Sequence, residues 1–175
     1  MFTTEEIRIA NATSRSSGAS VRNKDGSLRA VVPKYVESIA RKEDKILDYG
    51  AGKWAVHTLH LREQGFDCTA YDFGENVRHW IHDENALDKQ YDIVFASNVL
   101  NVCCNRTMLI NTVKEIYNAT KENGVSVMNY PSNPRKNLFD AASMTHVVED
   151  IFKCKSERVG GTKSAPVLKI RKEGK

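Results

Sequence analysis

Two glycines and two carboxylates are spaced in a way that suits ligand chemistry. Gly50 and Gly52 lie in ILDYGAGKWAV, residues 46–56, behind a short apolar run that carries Asp48; Asp72 follows in AYDF, twenty residues after Gly52. Glycine tolerates a tight, strained turn and lets another molecule lie against bare backbone. A carboxylate at the end of the next strand can accept hydrogen bonds from both hydroxyls of a ribose. A P-loop requires G-x-x-x-x-G-K-[ST], yet Leu47 stands five before Gly52 and Trp54 follows Lys53, so that pattern fails twice. The dinucleotide fingerprint G-x-G-x-x-G/A is matched by Gly50, Gly52 and Ala55 and stays open on the glycines alone.

Such a turn works only where a strand hands over to a helix. The apolar periodicity supplies that setting. Residues 28–42 repeat apolar side chains at helical spacing, with Pro33 in the first turn. Strands are expected at 45–50 and 67–72, separated by a helix over 53–64 that Gly65 ends. YDIVFAS, 91–97, reads as a buried strand. A helix over 106–121 follows, capped by Asn105, then a strand over 124–130 and a helical segment near 143–150. Residues 151–161 and 165–172 read as two strands joined by a glycine-containing turn. Alternating strands and helices that end in a hairpin predict a mostly parallel sheet, covered on both faces, with a C-terminal antiparallel strand. Residues 10–27 are small and polar with no apolar period, so residues 1–27 are expected to form an arm or lid and residues 28–175 the domain.

Asp48, Gly50 and Gly52 fit the first-strand motif [DE]-x-G-x-G of class I S-adenosylmethionine-dependent methyltransferases, and YDIVFASNVLNV resembles the fourth-strand segment of small members, followed by a helix and KENGVSVMNY. The resemblance runs from about residue 34 to residue 130 and, through the final hairpin, across the whole fold. It implies a Rossmann-like three-layer α/β/α sandwich that uses S-adenosylmethionine, with Asp48, Tyr49, Gly50, Ala51, Gly52, Asp72, Phe73, Asp83 and Asn98 as cofactor-binding residues. Asp83, or Glu84 beside it, would take the place of the acid that meets the adenine amino group, and reads equally well as a solvated loop carboxylate. Three departures stand out. Trp54 replaces the usual third glycine and either stacks against the ligand or enters the core, with the core the expected place. Nineteen residues between Asp72 and Asp92 are too few for a helix, a strand and a second helix, so the third strand is short or missing. SNVL, 97–100, lacks the prolines and aromatic ring of the [DNS]-P-P-[YFW] motif used on nucleobase amines. Asn101, together with Tyr130 and Arg135 of NYPSNPRKN, is expected on the acceptor side; Asn98 and Asn101 read equally well as caps of the following helix.

The 175 residues suit one domain, and no apolar run approaches the ~20 residues of a membrane span. With no signal-peptide pattern and four cysteines lacking C-x-x-C spacing, a cytoplasmic protein with reduced thiols and no metal is expected. Five histidines form no metal spacing. The net charge of +4 divides unevenly: Lys and Arg minus Asp and Glu gives 9 − 6 = +3 over residues 1–45, 9 − 14 = −5 over 46–152 and 8 − 2 = +6 over 153–175. Basic ends admit a nucleic-acid partner. The expected function is methyl transfer to an unidentified acceptor, which could be a small molecule, RNA or protein. The alternatives are a non-catalytic nucleoside-fold module that binds nucleic acid or a partner through those ends, and a nicotinamide enzyme.

Overall fold

The computed structural model describes residues 1–13, 21–130 and 139–174. Within them the chain runs α1 (Thr4–Thr13), α2 (Val31–Ile39), β1 (Lys45–Tyr49), α3 (Val56–Glu63), β2 (Asp67–Tyr71), β3 (Tyr91–Ala96), α4 (Arg106–Ala119), β4 (Thr120–Asn129), α5 (Ala141–Phe152), β5 (Glu157–Gly161) and β6 (Pro166–Arg171). The sheet order is β2-β1-β3-β4-β6-β5, parallel through β4 and antiparallel at β6 and β5.

Alternation along each strand divides the core in two. Ile46, Cys68, Ile93, Phe95, Val125 and Val127 face α2 and α3, where Val32, Val36 and Leu61 meet them. Leu47, Tyr49, Val94, Ala96 and Met128 face α4 and α5, against Leu109, Val113, Ile116, Met144 and Val148. Asn105 caps α4 as expected, its side-chain oxygen accepting the Met108 amide at 2.7 Å, and Asp140 does the same for α5 through Ser143. At the far end of α4, the buried ammonium of Lys172 donates to the carbonyls of Tyr117 and Thr120, where the helix dipole is negative.

The third strand is reduced to a remnant. Between β2 and β3 the chain makes single 3-10 turns at Gly74–Asn76 and Ala86–Asp88, and one parallel bridge, Ala70 to His82, stands where a further strand would pair. Several boundaries differ from the periodicity; α4 ends at Ala119 and β4 opens at Thr120, ahead of the expected 124. Helix α3 starts at Val56 rather than residue 53, because the glycine turn continues to Ala55, which is left-handed at φ 44°. Ile151 and Phe152 end α5 instead of opening a strand.

The N-terminal segment holds more structure than its composition suggests. Helix α1 opens with a capping box: the Thr3 hydroxyl accepts the Glu6 amide at 3.1 Å and the Glu6 carboxylate accepts the Thr3 amide at 2.9 Å. Ala10 is 1% exposed within the α4 and α5 core, so residue 10 belongs to a packed element. Further on, Arg22 and Leu28 bridge across a turn, and the Arg22 guanidinium donates to His60 and Glu63 of α3. Arg15, Ser16 and Ser17 of the expected arm lie outside the described residues.

Candidate functional site

The strand order reverses between β1 and β3, and in open parallel sheets the crevice off the carboxyl ends of the strands at such a point receives ligands. The Gly50–Gly52 turn occupies that point. The amides of Gly50 and Ala51 both donate to the Tyr71 carbonyl at 2.9 Å, tying the turn to the end of β2. The two glycines serve different needs. Gly50 has φ 78°, and a Cβ there would meet Val99 Cγ2 at 2.5 Å, so its bareness admits the chain after β3. Gly52 has φ 79°, and a Cβ there would meet nothing within 4 Å. The bare face of Gly52 therefore opens outward, as a backbone cradle for a ligand must.

Asp72 lies against that cradle. Its Oδ2 accepts the Gly52 amide at 2.7 Å and its Oδ1 accepts the Phe73 amide at 2.8 Å. A carboxylate offers about four lone-pair directions; with the two amides and the Asn76 side chain using three, a direction remains for a ribose hydroxyl and the residue fits a nucleoside. Burial raises the Asp72 pKa, while the two backbone donors and His82 oppose the shift. Beneath the turn, Asp48 is buried and accepts the Thr58 hydroxyl of α3 at 2.8 Å. Burial pushes its carboxyl up to about 7, with the Thr58 bond opposing and Asp72 adding to the rise.

The remaining expected residues scatter in role. Tyr49 points its ring into the core, donating to Glu115 of α4 at 2.6 Å, so only its backbone lines the turn. The Phe73 ring lies 5.4 Å from that of Phe2, which brings the start of the chain over the end of β2. Asp83 uses its carboxylate on the Asn85 amide and the Lys89 ammonium, at 2.8 and 2.7 Å, while Glu84 pairs with His79. Asn98, at φ 56°, exchanges two 2.8 Å hydrogen bonds with Asn129 across the ends of β3 and β4 and does not cap α4. Asn101 sits in the Leu100–Val102 turn with its Oδ1 buried and unpartnered among the described residues. Tyr130 is buried, and its hydroxyl donates to the Phe139 carbonyl instead of opening toward an acceptor. Trp54 corrects the expectation of a core residue: it is 53% exposed, with Lys53 and Arg78 above its ring, because the left-handed Ala55 turns the chain outward before α3 begins. Arg135 lies outside the described residues.

Two elements escaped the sequence. Helix α1 packs on the Gly74–Asn76 turn after β2 and the Leu100–Val102 turn after β3, with Ile7 and Asn11 leaving no room for a Cβ at Gly74. Asn105 also donates to Glu6, at 3.2 Å. The signal was the Thr3-x-x-Glu6 capping box. The second element is His82, whose Nε2 lies 2.8 Å from the Gly52 carbonyl; no local pattern marks it, because its partner is thirty residues away. Among the described residues, no group of three or more His, Cys, Asp or Glu side chains could hold a metal ion.

A family model described as a methyltransferase domain matches residues 21–152. No curated protein matches the sequence. Among solved structures, the chain is similar to a TehB-like SAM-dependent methyltransferase from Corynebacterium glutamicum, with TM-score 0.61 and 15% identity over 86% of this chain and 91% of that one. It is similar to the sugar N-methyltransferase KedS8 from a Streptoalloteichus species, with TM-score 0.61 and 14% identity over 92% and 97%. A third is the Burkholderia thailandensis 1,6-didemethyltoxoflavin-N1-methyltransferase with bound 1,6-didemethyltoxoflavin and S-adenosylhomocysteine, at TM-score 0.56 and 15% identity over 83% and 80%. With the family model covering most of the chain and the sheet and turn arranged as described, this chain belongs to the methyltransferase domain family, the S-adenosylmethionine-dependent methyltransferases of class I.

Proposed function

We propose that the chain is an enzyme that transfers the methyl group of S-adenosylmethionine to a small-molecule acceptor. The observation that carries the cofactor half is the outward-open face of Gly52 beside the Asp72 carboxylate, in a chain whose family transfers methyl groups. When bound, the cofactor supplies an activated methyl group on a sulfonium centre. The protein's task is then to align the acceptor and exclude water. Asp72 would hold a ribose hydroxyl, the Gly50–Gly52 backbone would lie along the ligand, and Asn101 would offer its unpartnered oxygen to a donor on the acceptor. Helix α1, lying on the turns after β2 and β3, would cover the site as a lid.

Support for a small acceptor comes from similar folds that act on a sugar and on 1,6-didemethyltoxoflavin. The basic C-terminal stretch argues less for nucleic acid than its charge suggests. Lys153 and Lys155 pair with Asp150 and Glu149, Arg158 and Arg171 donate to the carbonyls of Gly161 and Asn123, and Lys172 is buried on the end of α4. The four free cysteines fit a reducing compartment, and we place the protein in the cytoplasm. Mass spectrometry of the protein as purified tests the cofactor, and conversion of S-adenosylmethionine to S-adenosylhomocysteine across a panel of small amines, hydroxyls and oligonucleotides tests the acceptor. A protein that neither retains nor binds either nucleoside overturns the reading.

A further inference from the structure

We propose that His82 is a positioning residue of the cofactor turn, held in place by the remnant of the third strand. The proposal rests on the methyltransferase reading above. The Gly52 residue is gripped from two sides: its amide donates to Asp72 Oδ2 at 2.7 Å, and its carbonyl lies 2.8 Å from His82 Nε2. The Gly52 carbonyl can only accept, so Nε2 carries a proton that points at it. Nδ1 faces both the Arg78 amide, which donates to it at 2.9 Å, and the Arg78 carbonyl at 3.3 Å, and the shorter amide bond puts a lone pair on Nδ1. His82 is 5% exposed and reaches this place because it bridges Ala70 of β2 while the next amide, of Asp83, donates to the Ala70 carbonyl at 3.0 Å.

A grip of this kind matters most at a glycine. Gly52 has no side chain to wedge against its surroundings and stands at φ 79°, where a free glycine samples several basins. Fixing its amide and its carbonyl together selects one of them. The peptide that follows is planar and trans, so the direction of the Gly52 carbonyl also sets that of the Lys53 amide on its opposite edge. The imidazole thereby orients the backbone donors and acceptors at the open face of the turn before any ligand arrives, which spares the ligand the cost of ordering them. The same contact explains why a segment too short for a helix and a strand still keeps one bridge: the bridge delivers His82.

Titration calorimetry with S-adenosylhomocysteine on the parent, His82→Ala and His82→Gln tests this, alongside melting curves without ligand and 15N spectra of the parent's imidazoles. Glutamine keeps an N–H donor at the reach of Nε2 while abolishing the ring. The expected result is about a tenfold loss of affinity in His82→Ala, recovery of most of that loss in His82→Gln, and a ring spectrum with Nε2 protonated and Nδ1 bare. Undiminished affinity in a folded His82→Ala overturns the proposal, as does an equal loss in both variants, which would assign the residue to packing. Should His82→Ala fail to fold, His82→Gln and the ring spectrum decide. A parent that binds no S-adenosylhomocysteine overturns the methyltransferase reading itself, an outcome distinct from indifference among the variants.

Discussion

The carboxylate of Asp72 holds the amide of Gly52 at 2.7 Å, joining the end of β2 to the glycine turn after β1. One side chain thus shapes the turn and faces the ligand site. From its place in the sequence Asp72 is expected to meet ribose hydroxyls; the geometry adds the holding of the turn.

Asp72→Ala is therefore expected to lower both affinity and stability. Hydrogen bonds to a charged acceptor contribute about 1.5–3 kcal/mol each, and Asp72 makes two to backbone amides before any ribose is bound. Calorimetry should read at least a tenfold weaker S-adenosylhomocysteine complex, since ~1.4 kcal/mol is a factor of ten. The ligand-free melting temperature should fall by several degrees. Asp72→Asn, which keeps one acceptor oxygen, should lie between. A melting temperature unmoved in Asp72→Ala would show that the carboxylate does not hold the turn.

The two glycines should separate in the same pair of measurements. Gly50→Ala drives a methyl group into Val99 and fixes an unfavourable φ, so the fold should suffer first. Gly52→Ala meets no neighbour, and its cost to the ligand-free protein should be limited to the left-handed strain of about 1–2 kcal/mol. Its methyl group projects into the open face, so the loss should show in cofactor binding. Tight binding by Gly52→Ala would place the ligand elsewhere.

Asp48 predicts how ligand-free stability varies with pH. Its folded pKa, raised to about 7, lies above the unfolded carboxyl value, so between the two the native state binds more protons than the unfolded state. The resulting stability is complete below the unfolded pKa and is lost as pH rises through about 7. Melting curves should show the protein more stable near about pH 5 than near about pH 8, and Asp48→Asn, which still accepts from Thr58, should flatten that slope. A slope unchanged in Asp48→Asn would assign the dependence to other groups.

Removing residues 1–13 tests α1 as a lid while leaving Arg22 and Leu28 in place. The truncation deletes the Phe2 and Phe73 contact, the bond between Glu6 and Asn105, and the buried Ala10. A folded protein with a lower melting temperature and weaker S-adenosylhomocysteine binding is expected. Full affinity after truncation would leave α1 a packing element only.

The sequence alone determined the sheet, helices α2 to α5 and the position of the glycine turn, and the family resemblance together with the residue count between Asp72 and Asp92 gave a third strand short or missing. The helices and strands rest on periodicities of two and 3.6 residues and on a cap such as Asn105, all of them local. Tertiary structure decided what depends on distant partners. It turned Trp54 outward through the left-handed Ala55, committed the Tyr130 hydroxyl to Phe139, paired Asn98 with Asn129, and set Asp72 and His82 on opposite sides of Gly52. A hydrogen bond is made where two groups come within about 3 Å, whatever their separation along the chain, and only the folded sheet brings residues 52, 72 and 82 that close.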